Sequence, residues 1–251
     1  MPVRNQTALI SGASSGLGEA MAEKFSREGY DILLLGRDEK KLNLVSQKCT
    51  GAQTASLAFD LKDFVKNSDA IQAKLKSLSP VSILVNNAGV FHRERFLDTS
   101  DEAWLEQFHV NLLSAVQLTK LVWPAFIARK AGSILNIAST LGVKPAPLTS
   151  AYSAIKAAMI NWTLCLAQEG GAENIRANCI CPGVIDTPIH QFNHLVGNEK
   201  LAATKPILEL QLLKKLGTPT DVAEAAFFLA TDLSSWTTGS VLHVDGGINI
   251  T

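Results

Sequence analysis

The sequence predicts a single α/β domain built on a doubly wound parallel sheet of about seven strands, and three observations predict it. Short apolar runs alternate with helical patterns along all 251 residues, the order that builds parallel sheets through right-handed crossovers. The first run is followed at once by a glycine-rich turn, Gly12-Ala13-Ser14-Ser15-Gly16-Leu17-Gly18, and then by a helical pattern. No linker or internal repeat divides the chain.

Thr7–Ser11 is the first strand, and the helix that begins near Leu17 is stopped at about Glu28 by Gly29. Asp31–Leu35 is the second strand; it ends in Gly36-Arg37-Asp38, and a helix runs from about Asp38 to Lys48, with Asp38 suited to its N-cap. Thr54–Phe59 reads as the third strand, closing at Asp60, and a helical segment from about Leu61 to Leu78 ends before Pro80. Ser82–Val85, the fourth strand, leads into Asn86-Asn87-Ala88-Gly89. A long helical pattern covers Asp101 to Arg129, capped by Thr99 or Ser100. Pro124 is expected to kink it or end a segment, and Asn111 falls in its middle. Ser133–Ala138 is the fifth strand, with Ser139 at its carboxyl end. The alanine-rich helix from Ser150 to about Gln168 carries Tyr152 and Lys156. Ile175–Cys181 is the sixth strand, closed by Pro182-Gly183; Pro219 opens a helix over about Thr220–Ala230, and Ser240–Val244 is the last strand. Residues 186–215 are more polar and read as an insertion over the carboxyl ends of the strands, a substrate-binding lid rather than a second domain.

Nearly half the residues are apolar and the formal net charge is zero, so electrostatics give no reason to expect nucleic acid or an anionic membrane as partner. No uninterrupted apolar run is long enough for a bilayer, and Met1–Gln6 carries no signal-peptide core. Cys49, Cys165, Cys179 and Cys181 lack metal-ligand spacing; Cys179 and Cys181 alternate along a strand as small hydrophobes facing one side. A reducing cytoplasm fits this usage. His190 and His194 stand one turn apart with no third ligand in view, so a solvated face is expected there and no metal.

A strand, a glycine-rich turn and a helix make a phosphate cradle, because glycines admit a close approach and the helix N-terminus offers free N–H groups. The spacing is G-x-x-x-G-x-G. An acid at the end of the second strand would bond the ribose 2′-hydroxyl of NAD, whereas arginine suits a 2′-phosphate. Arg37 holds the first loop position there, so NADP(H) is the expected cofactor; Asp38 is the competing reading, as a ribose acid. Tyr152 and Lys156, four apart, share one helix face. A phenol has a pKa of about 10, and an ammonium held beside it lowers that by roughly 1–3 units, which brings proton transfer within reach of neutral pH.

Taken together, Ser11-Gly12-Ala-Ser-Ser-Gly16-Leu-Gly18, Asn86-Asn-Ala-Gly89, Asn111, Ser139, Tyr152-x-x-x-Lys156 and Pro182-Gly183 resemble the short-chain dehydrogenase/reductase family over essentially the whole chain. Ser11 replaces the family's usual threonine and keeps its hydroxyl. The resemblance implies a Rossmann-type fold and an oxidoreductase that moves a hydride between the nicotinamide and a ketone or secondary alcohol. It implies that Tyr152 is the general acid and base, that Lys156 lowers its pKa and bonds the nicotinamide ribose, and that Ser139 holds the carbonyl oxygen. Asn111 is implied to hold a water linking Lys156 to solvent. Gly12, Ser14, Ser15, Gly16, Leu17 and Gly18 would surround the pyrophosphate, Asp60, Leu61 and Asn87 the adenosine, and Ile185 and Thr187 the carboxamide.

Within the family, 3-oxoacyl-carrier-protein reductases dock an acidic partner through basic residues at two positions. Arg129 and Lys130 match the first, but the second reads Ala172-Glu173-Asn174, acidic where a base is expected and repulsive to such a partner. Two prolines between Val143 and Thr149, with Ile189, Phe192, Leu195 and Val196 in the lid, point to a moderately apolar substrate. An apolar outer strip on the two long helices, including Leu118, Leu121, Trp162 and Leu166, predicts a homo-oligomer, a tetramer or dimer. The alternative, an NADP-binding sensor or scaffold without turnover, has no use for the Asn111–Ser139–Tyr152–Lys156 set.

Overall fold

Strands covered on both faces need apolar residues at nearly every position. Thr7–Ser11 (β1), Asp31–Gly36 (β2) and Val81–Asn86 (β4) meet that need and are buried almost throughout. In the computed structural model, which describes residues 5–190 and 195–251, they are joined by Thr54–Ala58 (β3), Gly132–Ile137 (β5), Ile175–Pro182 (β6) and Val241–Val244 (β7). The seven strands form one parallel sheet in the order β3-β2-β1-β4-β5-β6-β7. The chain winds outward from β1 in one direction, returns, and winds outward from β4 in the other. The crevice at the carboxyl ends of β1 and β4 is therefore the topological switch point, where ligands bind in such sheets.

Helices cover both faces. Gly16–Arg27 (α1) and Pro219–Ala230 (α8) pack on one side, where Phe25, Tyr30 and Phe227 meet edge to face around Ile10, Ile32, Leu34 and Val85. Glu39–Lys48 (α2) lies beside β2 and β3, and Phe64–Lys76 (α3) beside β3. The opposite layer holds Asp101–Phe108 (α4), Ser114–Arg129 (α5) and Ser150–Gly170 (α6), which bury Leu118, Val122, Phe126 and Leu166 against Leu9, Leu84 and Ile134. Leu118 and Leu166 thus belong to the core and not to an outer strip; each points back to the sheet, while Leu121 and Trp162 are only half-buried. The span Asp101–Arg129 is long and apolar enough by composition to cross a membrane, but its apolar character goes into this core. Cys179 and Cys181 do share one buried face of β6, packed with Ala115 and Met159.

Pro124 does not end a helix: α5 continues through it to Arg129. It sits on the exposed side, where the carbonyl that loses its backbone partner faces solvent. The interruption lies instead at His109–Leu113, a π-helical turn between α4 and α5 centred on Asn111. The polar stretch 186–215 also holds more order than its composition suggests, with a 3₁₀ turn at Pro188–His190 and a helix, Gly197–Leu210 (α7), while Phe192 and His194 fall outside the described residues.

Candidate active site

The glycine turn is built for close approach. Gly12 has φ +65°, and a side chain on Gly18 would overlap the Gly12 carbonyl. Ser15 is the N-cap of α1, but its side chain bonds none of the helix's first N–H groups, which remain available to an anion. The turn is fastened to the end of β4. The Ser11 hydroxyl accepts from the backbone N–H groups of Asn87 and Ala88 at 3.0 and 3.1 Å, so serine serves here as threonine would. Asn87 Nδ2 in turn donates to the carbonyls of Ser11 and Gly12 at 3.0 and 3.1 Å.

At the end of β2, Arg37 is exposed, and among the described residues its guanidinium has no ion pair or hydrogen bond. Asp38 turns the other way and caps α2 by accepting from Lys41 N at 3.0 Å. Asp60 caps the following 3₁₀ turn through Lys62 N at 2.9 Å, with Leu61 buried behind it. These donors and cradles fit a dinucleotide carrying pyrophosphate and an additional phosphate.

Ser139, Tyr152 and Lys156 gather at the carboxyl end of β5. Ser139 Oγ accepts from Leu141 N at 3.1 Å, and Ser139 and Tyr152 line the same cavity. Burial pushes that phenol up to about 12, against the smaller lowering from Ser139. Lys156 is buried too, and burial brings its ammonium down to about 8. Its Nζ donates to Ile137 O at 2.8 Å and lies 5.6 Å from the centre of the tyrosine ring. The expected lowering of the phenol by Lys156 is therefore not the ruling effect in the protein alone; desolvation is.

Asn111 uses both ends of its side-chain amide on one residue. Oδ1 accepts from Val90 N and Nδ2 donates to Val90 O, each at 3.0 Å. This clamp fixes the loop after β4. Ile185 is buried and bridges to Gly217, and Thr187 Oγ1 donates to Ile185 O at 3.3 Å.

One cavity of about 250 Å³ is lined by every catalytic and cofactor-binding residue expected from the sequence except Gly18 and Asn111. It also meets Val90, Phe91 and Leu141, which sequence reasoning did not single out. Phe91 is the notable omission: its ring lies 4.7 Å from that of Tyr152. Its place two residues beyond the Asn-Asn-Ala-Gly turn, at the carboxyl end of a central strand, was the available signal. Among the described residues no cluster of three or more histidines, cysteines or acids is placed to hold a metal.

The buried lysine has a measurable consequence. Between pH about 8 and 10.5 the unfolded chain holds a proton on Lys156 that the folded chain has released. Folding stability contributed by this residue therefore rises with pH across that window, by on the order of 3 kcal/mol. Urea titrations of wild type and Lys156→Met should show the wild type gaining on the variant by about that amount from pH 8 to 10.5. Tyr152 and Cys49 act in both proteins and cancel, so the difference reports the lysine together with its interaction with the neighbouring Cys179 and Cys181. A difference independent of pH would mean that the lysine is charged in the fold.

The profile of one protein family, described as enoyl-(acyl carrier protein) reductase, matches residues 12–249. The 3-oxoacyl-[acyl-carrier-protein] reductase FabG of Chlamydia trachomatis serovar D is 34% identical over 248 residues, 97% of each chain. L-sorbose reductase from Gluconobacter frateurii, solved with NADPH and L-sorbose, superposes with a TM-score of 0.91 at 30% identity, covering 99% of this chain and 98% of that one. A structure described as a short chain dehydrogenase/reductase family protein matches over the full length of both chains, with a TM-score of 0.85 and 30% identity. With the Ser-Gly-x-x-x-Gly-x-Gly cradle, the serine–tyrosine–lysine group and the seven-stranded parallel sheet in place, the chain belongs to the short-chain dehydrogenase/reductase family of oxidoreductases and is 3-oxoacyl-carrier-protein-reductase-like within it.

Proposed function

We propose that this protein is an NADP(H)-dependent oxidoreductase that interconverts a ketone and a secondary alcohol, with Tyr152 as general acid and base. The observation that carries the reading is that Ser139, Tyr152 and Lys156 line one cavity, which also takes in the glycine cradle and Arg37. When bound, NADPH supplies the hydride; the chain supplies the proton and the orientation. A phenol near pKa 12 stays protonated at neutral pH and is a ready donor to a carbonyl oxygen held by Ser139. In the oxidative direction Tyr152 must take a proton, and the Lys156 ammonium favours the phenolate that does so. Asn111 Oδ1 and Nδ2 each spend one bond on Val90 and keep a second lone pair and a second N–H, enough to hold the water expected between Asn111 and Lys156.

Gly12, Ser14, Ser15, Gly16, Leu17 and Gly18 hold the pyrophosphate, Arg37 the 2′-phosphate, Asp60, Leu61 and Asn87 the adenosine side, and Ile185 and Thr187 the carboxamide. Residues 186–215 form the lid, with Ile189 lining the cavity. The four free thiols support a reducing cytoplasm. A carrier-bound substrate is no part of this reading. Arg129 and Lys130 lie at the amino end of β5, away from the cavity, and Glu173 adds negative charge beside β6.

The test is NADPH oxidation followed against a broad panel of ketones. Turnover of at least one ketone, faster with NADPH than with NADH, is expected. Tight NADPH binding with no turnover across the panel would favour the sensor reading.

Homo-oligomerisation, as a tetramer or dimer, is part of the proposal. The outward sides of α5 and α6 leave Ile127 42% and Leu164 37% exposed, beside the small residues Ala154, Ala157 and Ala158. Light scattering at micromolar concentration should give a multiple of the 26.9 kDa chain mass, and a monomer would contradict it.

A further inference from the structure

We propose that Phe91 determines the substrate class, by forming a rigid wall that selects ketones carrying a flat apolar group, aryl or alicyclic, next to the carbonyl. The inference rests on the reading of Tyr152 as the residue that meets the carbonyl oxygen. Three observations carry it. The Phe91 ring stands 4.7 Å from the Tyr152 ring, tilted by 56°, and lines the same cavity, so a group attached to a carbonyl at Tyr152 meets it. Aromatic pairs at such spacing favour a further ring or flat apolar surface.

The ring is held from both sides. Val90 before it is clamped by Asn111 at 3.0 Å on both backbone atoms. After it, His92 N donates to the buried Gln107 Oε1 at 3.4 Å, His92 Nε2 lies 3.1 Å from Glu106 Oε2, and Glu94 N donates to Leu148 O at 3.0 Å. The loop cannot swing Phe91 aside without breaking several of these bonds.

Polar alternatives are poorly served. Among the described residues the only charged side chains lining the cavity are Arg37, Asp60 and Lys156. Arg37 and Asp60 stand at the ends of β2 and β3, remote from Tyr152, and Lys156 is turned to Ile137 O. Val90, Phe91, Leu141 and Ile189 offer no side-chain hydrogen bond. A polyhydroxylated substituent laid against these four side chains would shed its water without replacement partners from them, a cost that a hydrocarbon does not meet.

The experiment compares kcat/KM for an aryl methyl ketone, butanone and a ketohexose, with saturating NADPH, in wild type, Phe91→Ala and Phe91→Leu. Wild type should prefer the aryl ketone to the ketohexose by about 10²-fold. In Phe91→Ala the aryl-to-butanone ratio should fall about 10-fold, mainly through KM, with Phe91→Leu intermediate. Unchanged ratios in both variants, or a wild-type preference for the ketohexose, would overturn the inference. A binding arm separates this from the reading it rests on. The dissociation constant of the matching aryl carbinol is measured by calorimetry on NADPH-loaded protein. If no ketone turns over but the carbinol still binds about 10-fold more weakly to Phe91→Ala, the redox reading fails and the wall stands. If the carbinol binds wild type and both variants equally, Phe91 is not the wall, whatever the turnover.

Discussion

Tyr152→Phe is expected to lower ketone reduction by about 10²–10⁴-fold, the range typical of losing a general acid. The substitution removes one oxygen and little else. The ring stays buried against Phe91, and α6 keeps its packing on β6. Ser139 Oγ keeps its bond from Leu141 N, so the 3₁₀ turn after β5 should hold its place. The cradle residues lie on other elements, so NADPH affinity should be nearly intact. The measurement is kcat for the best ketone of the panel beside an NADPH dissociation constant for each protein. A phenylalanine variant with near-normal turnover would end the assignment of Tyr152. A variant that loses NADPH binding in proportion to turnover would show a structural rather than a proton-transfer role.

The strands were legible because a parallel sheet demands continuous apolar runs, and the site was legible because its glycines, asparagines, serine and tyrosine stand where those runs end. Asp38 was readable as a cap from chemistry alone, and Ser100 likewise caps α4. Other features depended on contacts distant in sequence. Nothing local says that the helix carrying Asn111 opens into a π turn; the asparagine amide there bonds both backbone groups of Val90, 21 residues away. Pro124 looked disruptive because its cost depends on whether the freed carbonyl meets water, which the sequence does not state. Leu118 and Leu166 were assigned to an outer face because both long helices are apolar nearly all round, and only packing decides which stripe meets the sheet. The same limit hid α7, whose polar composition resembles a loop. The expected lowering of the Tyr152 pKa by Lys156 rested on one-turn proximity, whereas the buried lysine has its closest contact with Ile137 O and burial governs both groups.

Arg37→Ala should weaken NADPH by about 10–150-fold and leave NADH almost unchanged. A 2′-phosphate carries up to about two negative charges, and a charge-assisted hydrogen bond contributes roughly 1.5–3 kcal/mol, which converts to that range. The geometry favours Arg37 as the reader. It lines the cavity at the end of β2 and has no ion pair among the described residues, so no internal partner has to be given up on binding. The neighbouring acid does not oppose it. Asp38 faces α2, with one oxygen on Lys41 N and Lys41 Nζ 3.9 Å from the other. Ser14 packs against Gly36, with its Oγ 3.4 Å from where a Cβ on that glycine would stand, so a second donor sits beside the arginine. Lysine at position 37 should recover only part of the affinity, because an ammonium cannot offer the planar fork that matches phosphate. Because exposed charge interactions are screened, all dissociation constants must be taken at one salt concentration, and the NADPH advantage should shrink as salt is raised. Equal affinity of the wild type for NADH and NADPH would remove the NADP assignment. Equal weakening of both cofactors by Arg37→Ala would show instead that the arginine supports the adenosine pocket in general and does not read the phosphate.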